Sequence, residues 1–251
     1  MLDVQNLAKS FGGVKATDDV SITFADGSLT AVIGPNGAGK STFFNLITGA
    51  LKPDSGRILL AGIDMAGRSP PDIVRHGIGR AFQVASIFPS LTVNETMLAA
   101  VGADQRRASV IHRRFPLAET HDRAEHAIEM LGLADKRNRT ASMLSHGDQK
   151  LLDIALALVL NPKVLLLDEP TAGMGTEERW RMIDKVYELW ERQKITVVFI
   201  EHDMDIVFKI APQIVVLCYG RILATGAPLA IRSNPAVIEA YLGNEHISEV
   251  P

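Results

Sequence analysis

The nine residues GPNGAGKST, Gly34 to Thr42, constrain this chain more than any other stretch. They follow the apolar run LTAVI and precede FFNLI. Gly34 to Ser41 fit G-x-x-x-x-G-K-[ST], a loop that wraps phosphate groups between a strand and a helix. Glycines let such a backbone curl until its N–H groups point at phosphate oxygens. The helix that follows adds the partial positive charge of its N-terminus. Gly34, Pro35, Asn36, Gly37, Ala38, Gly39, Lys40, Ser41 and Thr42 are therefore candidate nucleotide contacts. Lys40 is expected to reach the β- and γ-phosphates, and the Ser41 hydroxyl to ligate Mg²⁺. The alternative, a glycine-rich turn at a helix start, explains neither the lysine nor the hydroxyl beside it.

Two further apolar runs, KVLLL and ITVVFI, share with LTAVI the look of parallel strands buried on both faces. The second leads into Asp168-Glu169-Pro170 and the third into Glu201-His202-Asp203. In open α/β sheets ligands bind beyond the carboxyl ends of the strands, so the three strand ends are expected on one edge of one sheet. A carboxylate pair after buried residues is costly, and a metal ion or a reacting water would offset the cost. Asp168 is the candidate Mg²⁺ partner, through water, and Glu169 the candidate general base. A lone histidine is more often structural than catalytic. After a buried strand on this edge, His202 is expected to contact the γ-phosphate.

Elsewhere the chain reads as a mixed α/β core interrupted by helices. VSITFADGSLTAVIG carries two β-rich runs around ADG, a hairpin signal, and SGRILLAGIDM reads as one more strand. Thr92-x-x-Glu95 is a capping box that opens a helix. ETHDRAEHAIEMLGL reads as an amphipathic helix closed by Gly132, and LLDIALALVL as a buried helix ended by Asn161-Pro162. In LSHGDQK before it, Ser145 fits an N-cap, with Asp148 in the place of a capping-box glutamate. Free N–H groups there make an anion site. Trp180 and Trp190, on the helix EERWRMIDKVYELWERQ, are expected to pack against the sheet.

Composition excludes several classes. The chain has 251 residues and a formal net charge of -3, which argues against a general nucleic-acid binder. Cys218 is the sole cysteine, so no disulfide forms within the chain; its place in an apolar run makes an inert thiol the expectation. The start MLDVQNLAKSF lacks a secretory pattern, and the apolar runs fall well short of the ~20 residues of a membrane helix. A soluble protein is expected, held at any membrane by partner chains. ADQRRASVIHRRFP is read as a solvated surface segment rather than a lipid or nucleic-acid contact. His121, Asp122, Glu125 and His126 are read as an exposed helix face, because His121 and His126 are badly spaced for one ligand set.

GPNGAGKST, Gln83 in GRAFQ, LSHGDQ, LLLDEP and His202, in that order, resemble the ATPase subunits of ABC transporters over nearly the whole chain. The resemblance implies an α/β fold: a RecA-like P-loop NTPase core with an N-terminal antiparallel β-subdomain and an inserted α-helical subdomain. It places the core at residues 1–83 and 161–243, the helical subdomain at 84–160 and a tail at 244–251. It implies ATP and Mg²⁺ as cofactors and an aromatic, here Phe11 of AKSFGG, stacked on adenine. A core aromatic at a strand end is the alternative for Phe11. Gln83 matches the loop that reaches Mg²⁺ and the attacking water. Ser145 and Gly147 match the signature residues that face the γ-phosphate across a head-to-tail dimer.

GIGRAFQVASIFPSLTVNE, SHGDQ, PTAGM, IEHDMDIVF and NPAVIEAYLG narrow the resemblance to the ATPases of branched-chain amino-acid uptake and their urea and amide relatives. That implies transmembrane permease subunits, a second ATPase subunit (identical or related), an extracytoplasmic solute-binding protein, and a place on the cytoplasmic face of the inner membrane. IFPSLTV and the YLG ending are also similar to the lipopolysaccharide-export ATPase, although SHGDQ weighs against it. Soluble ABC ATPases of repair or translation, and a nucleotide-gated module without turnover, are the remaining alternatives. His146 and Asp148 depart from the common LSGGQ, and Gly175-Thr176 stand where an Asp or Asn, often with Pro, is usual.

Overall fold

The computed structural model describes residues 1–104 and 118–245. Most of the Arg-rich run discussed above lies outside them. In chain order the elements are β1 (Leu2–Phe11), β2 (Val14–Phe24), β3 (Leu29–Ile33), α1 (Lys40–Ile47), β4 (Ser55–Leu60), β5 (Ile63–Asp64) and α2 (Pro70–His76). Next come β6 (Ile78–Ala81), α3 (Val93–Asp104), α4 (Ala118–Met130), α5 (His146–Leu158), β7 (Val164–Asp168) and α6 (Thr176–Gln193). The chain continues with β8 (Thr196–Ile200), α7 (Met204–Ile210), β9 (Gln213–Cys218), β10 (Arg221–Gly226), α8 (Pro228–Arg232) and α9 (Pro235–Glu245). Two units result, Met1–His76 with Lys194–Pro251, and Gly77–Gln193.

The first unit holds two β arrangements. An antiparallel sheet runs β2-β1-β4-β5, with Leu2 opposite both Phe24 and Leu60. Leu2, Val4 and Leu7 are buried on its inner side, the half-buried pattern of a sheet with one wet face. β3 instead is buried at all five positions. It lies parallel between β8 and β9, with Ala31 opposite Phe199 and Ile214, and β10 adds to β9 antiparallel. This corrects the hairpin expected around ADG: β2 and β3 belong to different sheets. Periodicity explains it, since β2 has one face to bury and β3 has two. The turn is closed by the Ser28 N–H to the Ala25 carbonyl at 3.1 Å and the Gly27 N–H to Thr196 Oγ1 at 3.1 Å. SGRILLAGIDM is likewise not one strand. It folds back at Ala61-Gly62 so that Leu60 faces Ile63.

In the second unit β6 and β7 pair in parallel, Ile78 opposite Val164 and Ala81 opposite Leu167. The helices begin and end where their caps stand. Thr92 and Glu95 exchange the two bonds of a capping box at the start of α3, 2.8 Å from the Thr92 N–H and 3.2 Å from the Glu95 N–H. α4 closes at Gly132, whose N–H reaches the Glu129 carbonyl while that of Leu133 reaches Ile128. Ile128 and Leu133 are both fully buried, the apolar contact that accompanies this cap. α6 buries Met182, Ile183, Val186 and Leu189. Trp180 and Trp190 are half-buried. Trp190 packs edge-on against Tyr187, ring centres 5.3 Å apart. His121, Asp122 and His126 are exposed on α4, and Glu125 pairs with Arg137 at 2.6 Å.

Candidate nucleotide and catalytic sites

In the first unit the phosphate loop leaves the end of β3. Gly34 has φ +153, and a Cβ there would lie 2.1 Å from the Leu217 carbonyl oxygen of β9. The loop therefore packs backbone against backbone. Gly34→Ala is expected to dislodge the loop and abolish nucleotide binding, as titration of a fluorescent ATP analogue would show. The β9–β10 turn supports it from another side, the Gly220 N–H donating to the Ala38 carbonyl at 3.0 Å. Lys40 opens α1 and is nearly buried. Its ammonium donates to the loop's own carbonyls, Gly34 at 2.6 Å and Pro35 at 3.1 Å. Ser41 is exposed beside it.

β8 lies next to β3 with Val32 opposite Ile200, so Gly34 and His202 each sit two residues past a matched pair. The ends of β3 and β8 therefore lie side by side, as expected for these two of the three strands. His202 is exposed, and its N–H donates to the carboxylate of the buried Glu201 at 3.2 Å. Asp203 caps α7, accepting from Asp205 and Ile206. Phe11 is 46% exposed at the end of β1, which rules out the core-aromatic alternative. The Lys9 ammonium stands 5.6 Å over its ring. Cys218 is half-buried on β9, and burial pushes its thiol above the ordinary value.

In the second unit β7 delivers Asp168 and Glu169. Gln83 meets Glu169 directly: its Nε2 donates to Oε2 at 2.6 Å. Glu169 has φ +45, a backbone conformation costly for a side chain of this size and one that concentrates at functional sites. Asp168 is nearly buried and paired with Arg80 at 2.6 Å. The guanidinium stacks on Phe82, 4.9 Å from the ring centre. Arg80 escaped the sequence reading, because nothing local distinguishes it from a surface arginine. Among the described residues no cluster of three or more His, Cys, Asp or Glu forms a metal cage.

The LSHGDQK stretch enters α5. Ser145 is its N-cap, accepting from the Asp148 N–H at 3.2 Å. The reciprocal half of the capping box is not made. The Asp148 carboxylate turns to the Lys136 ammonium at 2.8 and 2.9 Å, a charge-assisted pair stronger than a neutral N–H bond. The amides at this terminus are not all free either: Gly147 donates to Glu178 Oε1 at 3.1 Å. The exposed His146 ring lies against Gly173, where a Cβ would stand 3.5 Å from Cε1. Farther along α5, Lys150 is 2% and Asp153 3% exposed. Burial pushes the Asp153 carboxyl up, against the pull of the Phe82 and Ser86 amides and of Lys150. From the sequence Lys150 reads as the end of LSHGDQK and Asp153 as part of a buried helix. The signal available was a charge inside the apolar run LLDIALALVL.

Comparison with known proteins agrees with this geometry. The ABC transporter family matches residues 17–172, and a branched-chain amino acid ATP-binding cassette transporter segment matches 221–247. The chain is 39% identical over 249 residues to the high-affinity branched-chain amino acid transport ATP-binding protein LivG of Escherichia coli, covering 97% of this chain and 98% of that one. An ABC transporter ATP-binding cassette crystallised in its ADP conformation is 35% identical, with a TM-score of 0.85 over 97% of this chain and 98% of that one. A cassette solved as a dimer after hydrolysis, bound to ADP and phosphate, is 25% identical, with a TM-score of 0.75 over 91% and 99%. These likenesses favour the branched-chain reading over lipopolysaccharide export and over a soluble machine. A phosphate loop at the end of a parallel strand, a carboxylate held by a glutamine, and a family match across both make this chain an ATP-hydrolysing member of the ABC transporter family, in the branch that includes the branched-chain amino acid transport ATP-binding proteins.

Proposed function

We propose that this chain hydrolyses Mg-ATP in a head-to-tail pair of ATPase subunits and drives uptake of a branched-chain amino acid or a related small polar solute. The observation that carries the chemistry is the Gln83–Glu169 hydrogen bond of 2.6 Å, which orients a carboxylate next to a flexible amide able to share a water. Glu169 takes a proton from that water as it attacks the γ-phosphorus. Gln83 holds the water, and Lys40 exchanges its two loop carbonyls for phosphate oxygens. Mg²⁺, when bound through Ser41, Gln83 and Asp168, supplies positive charge to the phosphate oxygens. His202 donates a hydrogen bond to the γ-phosphate, and Phe11 stacks on adenine. The breaking bond is that between the γ-phosphorus and the β,γ-bridging oxygen, which leaves on ADP.

The dimer of the related cassette supports pairing of subunits. In this reading Ser145 and Gly147 of one chain receive the γ-phosphate held by the other, so an incoming phosphate displaces Glu178 from the Gly147 amide. Residues 84–160 act as the helical subdomain that meets transmembrane permease subunits, on the cytoplasmic face of the inner membrane. Residues 1–83 and 161–243 act as the nucleotide-binding core, and an extracytoplasmic solute-binding protein delivers cargo. Among the described residues no helix is long and apolar enough to cross a membrane.

Two experiments test the reading. Deleting the gene is expected to abolish uptake of labelled leucine, isoleucine or valine, or of a related amide; unchanged uptake across that panel removes the cargo assignment. Gly147→Ala puts a methyl group beside the amide that is to receive the partner's γ-phosphate; the Glu178 carboxylate, 2.3 Å from that Cβ, is the end of a flexible side chain and can move aside. The substitution is expected to leave ATP binding by the single chain intact while preventing ATP-dependent dimerisation in sedimentation. Dimers at parental ATP concentrations would remove Gly147 from the interface.

A further inference from the structure

Gln83 lies in neither a helix nor a strand, and Phe82, Gln83 and Val84 are all exposed. Something else must hold the Gln83 backbone if its side chain is to meet Glu169 reproducibly. Two buried charges on α5 do so. The Lys150 ammonium donates to the carbonyls of Phe82, of Gln83 at 2.9 Å and of Asp168 at 3.2 Å. The Asp153 carboxylate accepts from the N–H groups of Phe82 at 2.8 Å and Ser86 at 3.1 Å. Residues three apart share one helix face, so the Phe82 peptide groups are held on both sides by a single surface. The same ammonium touches Gln83 itself and the residue before Glu169. One ammonium thereby holds Gln83 and the peptide that leads into Glu169.

Burying two ions costs several kcal/mol each before their bonds repay it, and apolar side chains would anchor α5 as well. The bonds of Lys150 and Asp153 to Phe82, Gln83, Asp168 and Ser86 go to the backbone around the water-holding pair. We infer that Lys150 and Asp153 are positioning residues for hydrolysis, setting the Gln83 segment against Glu169 from the helix that begins with the signature. This rests on the reading of Gln83 and Glu169 as the pair that handles the attacking water.

A double-mutant cycle on the full chain tests it. Lys150→Met keeps much of the stem and removes the donors. It is expected to lower kcat about tenfold or more, the scale of a lost charge-assisted hydrogen bond, with little change in KM for ATP. In a Gln83→Ala background the same change is expected to cost clearly less, because the part of its effect that passes through Gln83 is already lost. Asp153→Asn, nearly isosteric, repeats the cycle if Lys150→Met fails to fold, and the same non-additivity is expected. Equal losses in both backgrounds would overturn the inference while leaving the Gln83 assignment standing. Parental turnover by Gln83→Ala alone would overturn both.

Discussion

Glu169→Gln retains ATP, loses turnover by about a hundredfold to ten-thousandfold, the range of general-base catalysis, and accumulates dimers at high ATP. The geometry allows the substitution to be clean. Glutamine keeps the shape of the side chain, and its carbonyl oxygen is able to accept from Gln83 Nε2 as Oε2 does at 2.6 Å. What it lacks is a basic oxygen to take the proton of the attacking water. The backbone at φ +45 is held by the Glu169 carbonyl, which accepts from the Ala172 N–H at 3.2 Å, and that bond does not depend on the side chain. Binding is therefore retained and the γ-phosphate stays uncleaved, so the ATP-bridged dimer persists instead of reopening. Phosphate release and sedimentation at millimolar ATP measure the two halves. Hydrolysis at the parental rate would remove Glu169 as the base.

Lys40→Ala is expected to weaken ATP binding itself, by about tenfold to a hundredfold on the scale of charge-assisted bonds. The ammonium is nearly buried, and its bonds to Gly34 and Pro35 show that it lies inside the loop, where phosphate oxygens compete for it directly. Alanine removes that charge and also the tie that holds the loop closed on itself, so both affinity and loop order fall. Isothermal titration with a non-hydrolysable ATP analogue reads the change. Affinity equal to the parent would show that the loop amides and the α1 N-terminus bind the phosphates without the lysine.

The two predictions differ in how much of their basis was legible beforehand. Lys40 is a local matter. Its motif spans a few residues, and steric rules for glycine and helix starts suffice to place it. The pairing of Glu169 with Gln83 is not local, since 86 positions separate them; the resemblance assigned Gln83 to the attacking water, and only folding brings the two side chains to hydrogen-bonding distance. Arg80, which holds Asp168, and Glu178, which holds the Gly147 amide, were invisible, because a charged residue in a polar stretch looks the same whether or not it has a distant partner.

Short-range chemistry left its mark in the order of residues: the phosphate loop, the Thr92–Glu95 capping box, the Gly132 helix end, the Ser145 N-cap and the buried β3 strand. Each depends on backbone sterics or on hydrogen bonds spanning a few positions, so each is written where it acts. Tertiary packing decided the rest. It sent β2 and β3 to different sheets because one strand had a single face to bury and the other had two. It turned Asp148 from its own helix cap to Lys136, since an ammonium outbids a neutral amide. It also sank Lys150 and Asp153 beneath the Gln83 segment, where the exclusion of water makes each of their hydrogen bonds worth more than at the surface.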